Sequence, residues 1–288
     1  MNTEIIQSIK GKSIEEVEKM MLALPQAECP VFHKFGNGLY IRELHMKAGT
    51  LAIGHEQRFK HYNVMLKGKV KMLNSDGSTS ELSAPAAFFA EPGRKIGFVM
   101  EDMIWQNIYP TDETDIETLE NTYLNKSEAW KLNNELQMSL KTLECESDRE
   151  DFKQALEDIG VSAELVTSQS ENEEDRVQFY NNRTRVANSP IHGLGLFATS
   201  TIGANEIILP ARIGGLRTDA GRYTNHSANP NARMEGDENG DIWLISIRDI
   251  SGCHGGELGE EITVDYRQAI KENLRIGGAS CPELPSQV

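Results

Sequence analysis

Three stretches in the last third of the chain decide the fold: S-P-I-H-G-L-G-L-F-A (189–198), R-Y-T-N-H-S-A-N-P-N-A (222–232) and G-E-E-I-T-V-D-Y (259–266). Each has an ordinary reading alone. Gly193 and Gly195 could mark a bulge, the Asn/Pro cluster a turn forced by Pro230, and the run ending in Tyr266 a strand. Read together they suggest more. Two glycines without Cβ let a ligand lie directly on a strand, with backbone groups free to bind an amino-acid head group.

Around these stretches, short β-like runs (E-I-I-L, D-I-W-L-I-S-I, E-I-T-V-D-Y) alternate with Gly and Asn loops from Arg183 onward. The chain has 288 residues, enough for two domains, with 39% hydrophobic and 25% charged residues. Such a composition excludes disordered, fibrous and disulfide-stapled classes. No apolar run approaches the ~20 residues of a membrane-spanning helix, and no long apolar leader opens the chain. Cys29, Cys145, Cys253 and Cys281 are scattered and form no C-x-x-C pair, so a reducing cytoplasmic setting is expected.

The net charge of −15 is concentrated. Residues 111–180 hold 19 acidic against 6 basic side chains, net −13, and the rest of the chain is nearly neutral. No basic stripe with interleaved aromatics offsets it, so nucleic acid is not an expected partner, and with no spanning segment neither is a membrane.

The expected organisation has four parts. Ser13 and Glu16 form a capping box before Ile14, Val17, Met21 and Leu24, which predicts a helix in 1–27. Alternating runs broken by Gly and by the turn N-S-D-G (74–77) predict an all-β lobe over 28–111. The acidic segment 112–180 predicts two or three helices. Thr114/Glu117 and Ser147/Glu150 serve there as capping pairs, with an apolar stripe of Leu132, Leu136, Leu140 and Leu143, and Phe152, Ala155, Leu156 and Ile159 run to a stop at Gly160. Residues 168–175 read as a solvated linker, and 181–288 as a second β lobe with a helix-like tail at 267–275. No internal repeat appears.

Residues 49–68 read Gly49-x5-His55-x-Gln57-x3-His61-x6-Gly68. The pattern resembles the first motif of the cupin superfamily, which implies a β-barrel presenting His55, Gln57 and His61 to a divalent metal. A neutral Gln is a weak ligand, and the later P-G turn (92–93) brings no further His. Two readings stay open, a barrel kept for its fold or surface, which is preferred, and a working metal centre.

The three C-terminal stretches, in this order, resemble the SET domain of protein lysine methyltransferases, over about residues 181–268. That resemblance implies a β fold with a pseudoknot, S-adenosylmethionine bound by His192, Gly193, Leu194, Gly195, Asn225 and His226, and Tyr266 at the end of the last strand as the catalytic phenol. Where the family has an aromatic channel wall this chain has Ala211, and Tyr223 is the candidate replacement. The clustered-cysteine tail of the family is missing, so the channel must be closed by the C-terminal helix, the first lobe or a second subunit. The whole arrangement, mainly β with an α connector, resembles cupin–SET fusions of bacteriophages. It implies a methyltransferase acting on an exposed lysine of a host or viral protein, with the first lobe serving recognition or homo-oligomerisation. The competing reading is a non-catalytic assembly protein associated with virions.

Overall fold

The computed structural model describes residues 8–9, 11–74, 78–179, 181–253 and 258–276. Most of the expected turn at 74–77 and all of the chain around Cys281 lie outside them. The described chain is mainly β with intervening helices and divides into two compact units. The division falls between Leu136 and Gln137, inside a helix.

In the first unit, α1 (Ile14–Leu22) starts as expected: Glu16 N–H donates to Ser13 Oγ at 3.2 Å and Ser13 N–H to Glu16 Oε2 at 2.7 Å. Its Val17 packs with Ile9 and Ile96. Seven antiparallel strands follow: β1 (Val31–Gly36), β2 (Leu39–Met46), β3 (Leu51–Ile53), β5 (His61–Leu73), β6 (Thr79–Ser83), β7 (Ala86–Ala90) and β8 (Ile96–Pro110). They form one sheet in the order β1-β2-β8-β5-β6, with β3 on β8 and β7 on β5. The expected closed barrel is therefore replaced by an open path among the described residues. The long strands β5 and β8 each pair with two short neighbours along their length, and irregular register at Met65–Val70 lets the sheet curve. Gly68 makes that bend possible. Its φ is +91°, and a Cβ there would strike the backbone of Glu101–Met103. The concave side buries Met65, Val70, Val99, Met103 and Trp105. Between β3 and β5, β4 (Glu56–Gln57) pairs with β9 (Leu124–Asn125), which directly follows α2 (Ile116–Tyr123).

Two expected caps shift. Thr114 is displaced by Asp115, whose Oδ1 accepts the Thr118 N–H at 2.8 Å. Helix α4 (Glu146–Ile159) begins before Ser147, so that side chain lies within the first turn and Cys145 precedes the helix without a side-chain cap. In α3 (Glu128–Glu144) the leucine stripe is exposed, from 46% at Leu140 to 69% at Leu132. No helix among the described residues is long and apolar enough to cross a membrane.

The second unit contains α4 and α5 (Ala163–Glu171), separated by Gly160 at φ +68°. The stretch 168–175 is not a solvated linker. It continues α5 into a 3-10 turn (Glu173–Asp175) and is pinned by two arginines. Arg217 reaches Asp175 Oδ2 at 2.7 Å and Gln169 O at 2.6 Å, while Arg222 reaches Asn172 O at 2.6 Å and Asp175 Oδ1 at 3.1 Å.

Two four-stranded sheets complete this unit. One runs β10 (Thr184–Asn188), β11 (Leu194–Ala198), β17 (Glu261–Val264), β14 (Asn225–His226), and the other β13 (Leu216–Arg217), β12 (Ile207–Ile213), β16 (Ile242–Ser246), β15 (Ala232–Gly236). Leu196, Ile202, Leu209, Leu244, Ile250 and Ile262 form the core between them. The short helix α6 (Asp219–Tyr223) leads into β14. Tyr266 does not end the last strand as expected. β17 stops at Val264, Asp265 accepts the Arg267 N–H at 2.9 Å, and Tyr266 opens α7 (Tyr266–Arg275).

Candidate active site

Strand β14 pairs with β17 in parallel, Asn225 beside Thr263 and His226 beside Val264. Ser227 N–H continues the ladder to Val264 O, and Asn231 closes it, its Nδ2 donating to Glu261 O at 2.7 Å and its Oδ1 accepting from Thr263 N–H at 2.8 Å. Residues 225–231 thus lie along the C-terminal strand, and the three quoted stretches meet.

The buried Asn225 amide donates to His192 O at 3.0 Å, Leu194 O at 3.1 Å and Glu261 Oε1 at 2.8 Å. Ser189 Oγ also donates to the Glu261 carboxylate. Burial pushes the Glu261 pKa up, against the hydrogen bonds from Asn225 and Ser189. The Cβ position of Gly195 is taken by this carboxylate and the Ser189 methylene, so the missing side chain makes room for Glu261. Gly193, at φ +51°, faces open space, and the adjoining Leu194 is exposed.

His226 is fully buried. Its Nε2 lies 2.7 Å from Asp151 Oδ2, and its Nδ1 accepts the Tyr266 N–H at 3.1 Å. Tyr266 O–H donates to Thr224 O at 3.2 Å, and burial, then the nearby Glu261 charge, pushes this phenol well above the ordinary tyrosine range. It stays protonated at neutral pH. One wall of a cavity of ≈ 170 Å³ is formed by Tyr266, with Thr224, Met234, Ile270, Arg217 and Arg222 around it. Tyr223 is half-buried in α6 and is not part of that lining.

Helix α4 covers the other side of this cluster. Asp148 accepts from Ser227 Oγ at 2.6 Å, Arg149 donates to Pro190 O at 2.9 Å, and the Phe152 ring stacks on His192 with centroids 5.1 Å apart. Phe152 also meets Tyr266 edge-on at 6.0 Å. None of the three motifs marks Asp148, Asp151 or Phe152, the last of which reads only as part of an apolar helix face. Their i, i+3 and i+4 spacing puts them on one helix face, but the surrounding acid hides it.

In the first unit, His55, Gln57 and His61 line one cavity of ≈ 120 Å³, with Arg42, Asn63 and Trp105. Their chemistry does not suit a metal. Gln57 Oε1 is taken by the Tyr109 hydroxyl at 2.6 Å, the His55 ring lies edge-on to Trp130, and no group of three His, Cys, Asp or Glu side chains is gathered among the described residues. Burial lowers the His61 pKa, and its Nδ1 faces Phe59 O at 3.0 Å, so a neutral ring donates there. Burial also pushes the Tyr109 phenol up to about 12. The cavity is an apolar cup with a hydrogen-bonded polar end, in which Asn63 Oδ1 accepts from Trp105 Nε1 and Asn107 Nδ2.

No family model and no curated relative matches the chain. Similar solved structures include an acetylacetone dioxygenase from Acinetobacter johnsonii, 15% identical over 31% of this chain and 63% of that one, with a TM-score of 0.25. An RmlC-like cupin family protein with a double-stranded β-helix fold from Methanocaldococcus jannaschii is 9% identical over 30% of this chain and 84% of that one, TM-score 0.26. A cupin domain from Bordetella pertussis is 11% identical over 31% and 99%, TM-score 0.26. The chain spans less than two thirds of the dioxygenase.

Proposed function

We propose that the second unit is a SET-type protein lysine methyltransferase that uses S-adenosylmethionine. The observation that carries this reading is the parallel β14–β17 pairing, through which His192–Gly195, Asn225–His226 and Tyr266, separated by up to 74 positions in sequence, become one hydrogen-bonded cluster. The resemblance of the three motifs supplies the activity.

The residues fit the cofactor by charge and by the open space beside Gly193. A sulfonium and an ammonium group suit the buried Glu261 carboxylate, and the open side at Gly193 and Leu194 gives access to the strand. His192, Gly193, Leu194 and Asn225 would hold it, with Gly195 making room for Glu261. S-adenosylmethionine supplies an electrophilic methyl group. The chain's own residues must deliver a neutral amine, whereas free lysine, with a pKa of about 10.4, is almost wholly charged at pH 7. Burial in the cavity beside Tyr266 disfavours the ammonium, and the guanidinium of Arg222, whose side chain is fully buried on that wall, adds to the effect. The proton leaves to solvent before the amine seats. Tyr266, protonated and fixed on Thr224 O, orients rather than abstracts. Ile270 of the tail helix α7 lines this cavity, and helix α4 adds Phe152 against His192 and Tyr266 on the other side of the cluster.

The first unit, in this reading, is a cupin-like recognition or oligomerisation module. Incubating the full chain with methyl-labelled S-adenosylmethionine and host protein fractions should label lysines, and Tyr266→Phe should slow the labelling at least tenfold. No label in any fraction would count against the reading. A second reading, an assembly module without transfer, is favoured by one observation: Asp148 and Asp151 already engage Ser227 and His226. It predicts a stable oligomer that does not bind the cofactor.

A further inference from the structure

Tyr266 is the first residue of α7, and the first amides of a helix have no partner within it. Here that amide is capped by an imidazole, since Tyr266 N–H donates to His226 Nδ1 at 3.1 Å. A backbone N–H can only donate, so Nδ1 carries no proton and the proton of the neutral ring sits on Nε2. That nitrogen lies 2.7 Å from Asp151 Oδ2. Asp151 is fixed in turn. Arg267 Nη1 and Nη2 reach its two oxygens at 3.0 and 3.2 Å, while Arg267 Nε holds Asp158 at 2.8 Å. Among the described residues Asp265 also faces the ring, its Oδ1 3.9 Å from Nδ1.

We infer that Asp151, from a helix outside all three motifs, is a positioning residue that selects the Nε2–H tautomer of His226 and thereby holds Tyr266. The inference rests on the proposed role of Tyr266. Both ends of the tyrosine are then fixed by one short segment, its amide by His226 and its hydroxyl by Thr224 O. Without an acceptor at Asp151 the buried ring is free to move its proton to Nδ1, and an Nδ1–H cannot accept from Tyr266. The amide is then left bare and the phenol loses its register. The Arg267 pair pulls the Asp151 pKa down, with His226 adding to it, so the acceptor stays ionised at neutral pH.

The test combines ring-nitrogen NMR of His226 with kinetics on the full chain. Wild type should show the Nε2–H tautomer. Asp151→Leu should lose it, move the Tyr266 amide resonance, and lower kcat about 10- to 100-fold, as on losing an outer partner that orients an imidazole, with KM for S-adenosylmethionine within about twofold. Asp151→Asn keeps an acceptor at the same place and should restore much of kcat, which also guards against a leucine variant that does not fold. Asp158→Asn removes the neighbouring Arg267 pair without touching His226, and should leave tautomer and kcat unchanged. An Nδ1–H ring in wild type, or an Asp158→Asn loss as large as that of Asp151→Leu, would overturn the inference and leave only helix docking. If wild type transfers no methyl group, the proposed function fails separately. The tautomer and the Tyr266 amide still decide: both altered in Asp151→Leu sustains the positioning, both unchanged overturns it.

Discussion

Asn225 Nδ2 lies 2.8 Å from Glu261 Oε1, and the carboxylate it touches occupies the space left by the missing side chain of Gly195. A buried acid beside a glycine strand costs stability, a cost that a bound cation would offset. Burial raises the Glu261 pKa, so the folded chain keeps this proton at pH values where the unfolded chain has lost it. The stability it contributes is full below the unfolded carboxyl pKa of about 4.3 and declines as pH rises toward the folded value. Glu261→Gln keeps an acceptor for Asn225 and removes the charge. Thermal melts should show the variant at least as stable as wild type at pH 7, the gap closing toward pH 4, while S-adenosylmethionine binds it more weakly. A variant less stable at pH 7 with unchanged cofactor affinity would refute this role.

Asp175 joins Arg217 and Arg222, and the Arg222 side chain is fully buried. Removing one partner of a buried pair leaves an uncompensated charge, which costs about 3 kcal/mol. Asp175→Ala should therefore destabilise the second unit by about that amount in urea unfolding. A change within about 0.5 kcal/mol, the range of an ordinary surface substitution, would mean that this acidic stretch is merely solvated after all.

Local grammar was legible where donor and acceptor are neighbours in sequence. Ser13 and Glu16 form the box their spacing predicts, and Gly160 ends its helix. Thr114 failed because Asp115, one residue on, is a better acceptor for the same turn. The run 168–175 reads as a linker because the arginines that neutralise it lie 42 and 47 residues downstream of Asp175, where no periodicity reports them. The same holds at the site. The pattern around His192, Asn225 and Tyr266 could be read from the motifs, whereas Asp148 and Asp151 looked like any two of the 19 acids in their segment.

Gly68 sits at φ +91° in the irregular part of β5, against the backbone of Glu101–Met103. Alanine there adds strain and a steric overlap that only backbone movement relieves. Gly68→Ala should destabilise the first unit by well over about 1 kcal/mol, whereas Gly49→Ala, with open space around its Cβ position, should lose less. Equal losses would show that the bend does not depend on Gly68.

The cavity of His55, Gln57 and His61 offers two imidazoles and a hydrogen-bonded carboxamide, and no group of three His, Cys, Asp or Glu side chains is gathered among the described residues. Elemental analysis of the purified chain should find well under one transition-metal ion per molecule, and chelator treatment should leave its melting temperature unchanged. One tightly held ion per chain, lost together with stability on chelation, would reverse that conclusion.

The most direct test is calorimetric titration of the full chain with S-adenosylmethionine. The account predicts saturable binding of one molecule per chain. Absence of saturable heat up to about 1 mM, the upper end of ordinary substrate constants, would contradict it and leave the second unit a binding or assembly module.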